Sequence, residues 1–357
     1  LNFKVFIVIL ISAVMISCVS TPVIKDPGGE ELPQSIASLE SVDLNGVEQW
    51  LLIRGEDVSK PVLLFLHGGP GSAEIPLYRF NPGLEKDFVL VMWDQRGSGK
   101  SYSRKIPEET MTIEQFIDDT HELTKILKQR FGRDKIYLAG HSWGSGLGMH
   151  TINLYPEDYY AFVGIGQIVN LKENERVSWQ FCYDEAKKRG DKKAIKQLEK
   201  VGPPVDGVYE GDFIKNGKFV MKGLGTERKW LTKYEGWWYG ETGYGMVVKT
   251  LLTTKEYTLG ESIRYMKASK FSLTLMWPEL VNVDLARDIP EVKIPVYFCV
   301  GRHDYNTPGE VSYPYYEMLA APKKDFIWFE RSAHSPCFEE PEEFNEVMQK
   351  VVTETYK

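Results

Sequence analysis

A chain of 357 residues with 43% hydrophobic and 26% charged residues has the apolar content for a full core and is not a disordered polypeptide. The length suits one large α/β domain carrying an insertion, or two domains. The net charge of -7 and the lack of a basic stripe argue against nucleic acid as a partner. Lysines do cluster over residues 186–200, but acids are interspersed and the stretch reads as a solvated helix face. Cys18, Cys182, Cys299 and Cys337 are the four cysteines, and no two form a C-x-x-C pair. Neither a zinc site nor a dithiol motif is supported, and the last three read as free thiols.

At the start, Lys4 is the only early charge, followed by an apolar run over residues 5–16. That run has the length of a signal-peptide core and is short for a membrane span. Met15-Ile16-Ser17-Cys18 then resembles the lipobox of bacterial lipoproteins, in which the signal is cut before a cysteine that receives lipid. The expectation is an export signal over residues 1–18 and a lipid anchor on Cys18, placing the protein in a bacterial cell envelope. A plain cleaved signal, giving a secreted or periplasmic protein, and an uncleaved N-terminal anchor are the alternatives. Residues 19–39 are polar, contain Pro and Gly, and read as a tether.

Residues 41–54 alternate apolar and polar side chains around Asn45-Gly46, the signal of a β-hairpin with a tight turn. Residues 62–66 and 88–93 are continuous apolar runs, as strands buried on both faces require. The first ends in His67-Gly68-Gly69-Pro70-Gly71, the second in Asp94-Gln95-Arg96-Gly97-Ser98-Gly99-Lys100-Ser101. Thr112, with acids close behind, caps an amphipathic helix reaching about Arg130. A short strand over 136–139 leads into Gly140-His141-Ser142-Trp143-Gly144, and a helix follows to Tyr155. Residues 161–165 form another buried strand.

From 170 to 290 the rhythm is helical and rich in charge, with an aromatic group that includes Trp230, Trp237 and Trp238. Strands return at 295–300 and 326–329, with helices over 309–319 and 341–352. Buried strands alternating with helices predict an α/β fold whose sheet is mostly parallel, with helices on both faces and ligands at the carboxyl ends of the strands. The core spans residues 40–170 and 290–357, and residues 171–289 are an inserted helical cap.

Ser142 sits between a strand and a helix, where a sharp turn exposes a nucleophile. Its hydroxyl needs a base, and the base needs an acid to orient it. Strand ends supply these in the order Ser142, Asp304, His334, which is the chain order of the α/β-hydrolase fold. Of the six histidines, only His334 follows Asp304. His67, His141 and His303 read as turn-shaping residues. The oxyanion calls for two backbone N–H groups, assigned to Trp143 and Gly69. Residues 97–101 suggest a phosphate loop, but Asp94 stands where that pattern wants glycine. The stretch is structural instead, with Asp94 and Arg96 expected to pair.

Five motifs, HGGPG over 67–71, DQRGSGKS over 94–101, GHSWGS over 140–145, GRHD over 301–304 and SAHSP over 332–336, resemble the proline iminopeptidase family of α/β-hydrolases. The resemblance covers roughly residues 40–170 and 290–350. It implies Ser142, Asp304 and His334 as the triad and Gly69 and Trp143 as the oxyanion hole. It also implies release of an N-terminal residue, often proline, from peptides or amides, with the free amine held by acids of the cap. Glu173, Glu235 and Glu241 are candidates for that role.

The chain therefore reads as a serine hydrolase acting through an acyl-enzyme on short peptides or amino-acid amides, with no metal or organic cofactor. A carboxylic ester or lactone hydrolase is the alternative, and a non-catalytic ligand-binding module on the same fold is a second. Cys337, close to His334 in sequence, is expected to make the enzyme sensitive to thiol reagents.

Overall fold

The structure, a computed structural model, describes residues 20–356; the expected export signal and Cys18 lie outside the described residues. An eight-stranded sheet forms the centre, in the order β1-β2-β4-β3-β5-β6-β9-β10. Its strands are β1 (Ile36–Leu44), β2 (Val47–Gly55), β3 (Val62–Leu66), β4 (Val89–Asp94), β5 (Ile136–His141), β6 (Tyr159–Ile165), β9 (Val296–Gly301) and β10 (Lys324–Phe329). β1 and β2 form an antiparallel hairpin, β2 joins β4 antiparallel, and the remaining neighbours run parallel.

The continuous apolar runs are buried on both faces, as the parallel strands demand. In β3, Val62, Leu64 and Leu66 enter one apolar cluster, while Leu63 and Phe65 enter the other. Helices α1 (Ile113–Phe131) and α2 (Trp143–Leu154) cover the first face, and α8 (Pro341–Thr355) covers the second. α1 is started by Thr112, whose side chain accepts from the Gln115 N–H, and stopped by Gly132 at φ 60. Its buried positions, Phe116, Thr120, Leu123 and Leu127, recur at helical spacing.

β1 begins at Ile36, inside the stretch expected as a tether. The residues before it are also held, because Arg54 donates to Thr21 Oγ1 and Pro22 O at 2.6 Å each. Ile24 is buried.

Between β6 and β9 the chain leaves the sheet. It forms α3 (Leu171–Lys188), α4 (Lys192–Val201), a small hairpin of β7 (Phe213–Lys215) and β8 (Lys218–Val220), α5 (Lys222–Lys233), α6 (Gly245–Thr253) and α7 (Leu259–Leu280). Its own core contains Arg228 paired with both Glu175 and Glu227, two carboxylates removed from solvent.

The sheet order places the site. The chain goes outward from β3 to β4, then returns to add β5 on the other side of β3. Loops leaving β3 and β5 diverge at this reversal and open a crevice at the carboxyl ends of the strands. β9 and β10 run parallel to them and deliver their own loops to the same edge.

Candidate active site

Ser142 follows β5 directly and precedes α2. Its backbone lies at φ 53 and ψ -118, a region that costs of order 1–3 kcal/mol for a residue with a side chain. The flanking glycines make the turn possible. A Cβ at Gly140 would come within 2.1 Å of Gly144 O, and one at Gly144 within 2.2 Å of Leu66 O. The Trp143 N–H, first in α2, has no intrahelical acceptor. Neither it nor the Gly69 N–H donates to any protein acceptor among the described residues.

Gly69 stands in the loop after β3 at φ 115. This loop is fixed from inside by His67. Nδ1 of His67 donates to Gly68 O at 2.7 Å, and Nε2 accepts from the Gln95 N–H at 3.1 Å. Burial pushes the imidazole down to about 4, against the pull of Glu74, so this ring is neutral. It is fixed from outside by α7, where Tyr265 donates to Ala73 O at 2.8 Å.

Asp304 and His334 come from the loops after β9 and β10. His334 Nδ1 lies 2.9 Å from Asp304 Oδ2. The carboxylate is otherwise saturated: Oδ1 accepts from the Asn306 and Thr307 N–H groups at 2.8 and 2.9 Å, and Oδ2 from Thr307 Oγ1 at 2.7 Å. Such a set fixes the acid in place and aims Oδ2 at the Nδ1–H tautomer of His334. On the other side of the ring, the Asn306 side-chain amide donates to His334 Nε2 at 2.9 Å.

Asn306, Thr307 and Glu74 were not singled out from the sequence. Asp304-Tyr305-Asn306-Thr307 carries an Asx-turn signal that could have revealed the first two. Glu74 had no local signal. A Cβ at Gly68 would lie 3.1 Å from Ser142 Cβ, 3.4 Å from Glu74 Oε1 and 3.5 Å from His141 Nδ1, so these groups meet over that glycine.

The insertion touches both loops through its backbone. Tyr305 N–H donates to Gly236 O at 3.1 Å and His334 N–H to Trp237 O at 3.2 Å. Glu339 completes the seam, accepting from the N–H groups of Tyr239, Ala333 and Ser335 at 2.7, 3.0 and 2.7 Å.

Two expectations are corrected. Arg96 does not pair with Asp94; it forms a bidentate bridge to Asp119 of α1 at 2.8 and 2.9 Å. Asp94 Oδ2 instead accepts from the Lys100 N–H and the Tyr257 hydroxyl, and burial pushes its carboxyl up to about 7. Cys337 is fully buried, and burial raises its thiol well above the ordinary value, so it is not a reactive thiol. Cys182 and Cys299 are likewise free and buried. Of the acids considered for an amine, Glu173 is half-buried and paired with Arg176 at 2.6 Å, Glu241 is exposed, and Glu235 is half-buried.

Residues 61–244 match the family described as alpha/beta hydrolase fold. Over 320 residues the chain is 34% identical to the protein named Probable aminopeptidase YbaC of Bacillus subtilis (strain 168), covering 89% of this chain and 96% of that one. It is 25% identical over 291 residues to a proline iminopeptidase of Heyndrickxia coagulans, covering 80% and 87% of the two. A solved proline iminopeptidase of Mycobacterium smegmatis superposes with a TM-score of 0.61 over 89% of this chain and 98% of its own, at 16% identity, a likeness of fold. The sheet order, the loops gathered at its carboxyl edge and these relatives together make the chain a hydrolase of the α/β-hydrolase family, similar to the proline iminopeptidases.

Proposed function

We propose that this hydrolase is a serine aminopeptidase of short peptides or amino-acid amides, working through an acyl-enzyme. His334 takes the proton of Ser142 at Nε2 while Ser142 Oγ attacks the scissile carbonyl. Asp304 holds the imidazole by Nδ1 and stabilises its positive charge. The N–H groups of Gly69 and Trp143 receive the oxyanion. His334 then returns the proton to the leaving amine, and water, activated in the same way, releases the acyl group. The observation that carries this reading is the Asp304–His334 contact of 2.9 Å, which leaves Nε2 as the ring's acceptor on the Ser142 edge of the sheet.

The amine preference draws on the names of the relatives and on Glu235. Its neighbour Gly236 accepts from the N–H of Tyr305, the residue after Asp304, so its backbone lies beside the Asp304 loop. Residues 171–289 serve as the cap over this edge. Residues 1–18 direct export, and Cys18 carries a lipid that anchors the protein in the cell envelope.

A paired panel tests the substrate. Proline, alanine and leucine p-nitroanilides, each with a free or acetylated amine, are compared with acetate and butyrate p-nitrophenyl esters. Turnover of free-amine anilides that disappears on acetylation is expected. Turnover of esters alone would make the protein an esterase.

A further inference from the structure

The outer face of α6 and α7 is apolar and uncovered. Val248 and Leu252 lie one turn apart on α6 and are 52% and 60% exposed. Leu259, Ile263 and Met266 follow the helical stripe of α7 at 54%, 70% and 71% exposed. The Ser262 hydroxyl donates to Leu251 O at 2.6 Å, so residues next to Leu252 and Ile263 tie the two helices together. The inner face of α7 is spent on the core. Tyr265 and Ser272 there bond the loops after β3 and β4, at Ala73 O and Gly97 O.

Charge on α6, on the link and on α7 up to residue 270 is one-sided. Lys249, Lys255, Arg264, Lys267 and Lys270 are all exposed, and none pairs with a carboxylate among the described residues. The two acids between residues 245 and 270 are withdrawn: Glu256 is 1% exposed, and Glu261 is bound by Lys100 at 3.0 Å. A basic apolar face on a chain of net charge -7 stands against its own background.

The chain enters the fold at the same place. The Ser20 N–H donates to Lys255 O, in the link between α6 and α7, at 3.3 Å. Ser20, the first described residue, thus sits beside this face, and the apolar run over 5–16 precedes it in sequence.

We infer that the α6–α7 face docks on an anionic lipid bilayer, its apolar side chains entering the acyl boundary and its lysines and arginine meeting headgroup phosphates. Large exposed apolar patches mark such surfaces, and a helix with apolar and cationic residues together lies in the interface plane. Among the described residues no helix is long and apolar enough to cross a membrane, so the contact is a surface one. The inference goes beyond the proposed reaction and needs no lipid on Cys18. It orients the enzyme, because the docked helix backs directly on the loop that carries Gly69.

The test uses the full chain with vesicles of phosphatidylcholine, with and without phosphatidylglycerol, doped with a phospholipid carrying a diazirine in its acyl chain. After photolysis, adducts are mapped by mass spectrometry. Adducts on Leu259, Ile263 and Met266, increased by phosphatidylglycerol and reduced by salt, are expected. Leu154 and Met318, each 57% exposed elsewhere on the fold, should carry none. The double variant Ile263→Ser, Met266→Ser, altered only at exposed positions, should lose the α7 adducts and bind these vesicles roughly tenfold more weakly or worse. Adducts confined to residues 1–19, or as frequent at Leu154 as at Ile263, would overturn the inference. So would a dimer in solution that shields α6 and α7 from the lipid.

Discussion

Glu74 Oε1 lies 2.6 Å from His141 Nδ1, and the other ring nitrogen of His141 lies 2.8 Å from the carbonyl oxygen of His334. A neutral imidazole has one N–H, and here both nitrogens face an acceptor. This geometry favours the imidazolium form of His141 beside Glu74. Burial lowers its proton affinity, but the charge of Glu74, its hydrogen bond and the His334 carbonyl outweigh that and raise it overall. The pair ties the loop after β3 to the loop of His334, since Glu74 Oε1 also accepts from the Gly68 N–H at 3.3 Å.

Replacing Glu74 with Gln leaves a buried imidazolium without its counter-charge. Stability should fall by about 1–3 kcal/mol, and kcat should drop roughly tenfold or more with little change in KM. Because the folded pKa of His141 is raised, the pair's contribution is complete below the ordinary histidine value. It is lost as pH rises through the raised one. Thermal melts from pH 6 to 9 should show that loss in the wild type and not in Glu74→Gln. Parallel curves would remove the ion pair from the account.

Asn306 occupies the nitrogen that the proposed mechanism needs. Its amide donates to His334 Nε2, where the Ser142 proton must arrive. A neutral hydrogen bond of this kind is worth about 0.5–1.5 kcal/mol net, a factor of roughly two to ten in rate. Asn306→Ala should accelerate labelling of Ser142 by a fluorophosphonate within that factor. Slower labelling would show that the amide supports the base instead of competing with it.

For the substrate amine, Glu235→Gln should raise KM for free-amine anilides by one to two orders of magnitude, about 1.5–3 kcal/mol for a charged hydrogen bond. Acetylated and ester substrates should be unaffected. An equal loss on all substrates would assign Glu235 to the fold of the insertion.

Burial pushes the Glu339 carboxyl up to about 7 although three N–H groups point at it. A folded pKa above the unfolded one means that its contribution is complete below the usual carboxylate value. It is then lost as pH rises through about 7. Melting temperatures between pH 4.5 and 8 should therefore fall more steeply in the wild type than in Glu339→Gln. Equal slopes would show that Glu339 does not titrate in this range.

Much of the sheet could be read from the chain because a strand buried on both faces must be apolar throughout. β3 was located to the residue, and β4, β5 and β9 to within two. The turn at Ser142 was legible because its glycines are forced by contacts under 2.5 Å. The insertion's hydrogen bonds to the Asp304 and His334 loops and to Glu339 were not, because on its side they are made by Gly236 O, Trp237 O and the Tyr239 N–H, backbone groups that leave no mark in sequence. Glu74 and His141 escaped for another reason: they are 67 positions apart and each looks like a loop residue. The β7–β8 hairpin was missed although its turn, Asn216-Gly217 at φ 52 and 73, carries the same signal as Asn45-Gly46. Its strands are too short for alternation to show.

The most direct measurement of the central claim is mass spectrometry of the protein after reaction with a fluorophosphonate. The account predicts one adduct, on the peptide that contains Ser142, absent in Ser142→Ala and strongly slowed in His334→Ala. No adduct, or an adduct on another serine with Ser142→Ala still hydrolysing its substrate, would contradict it.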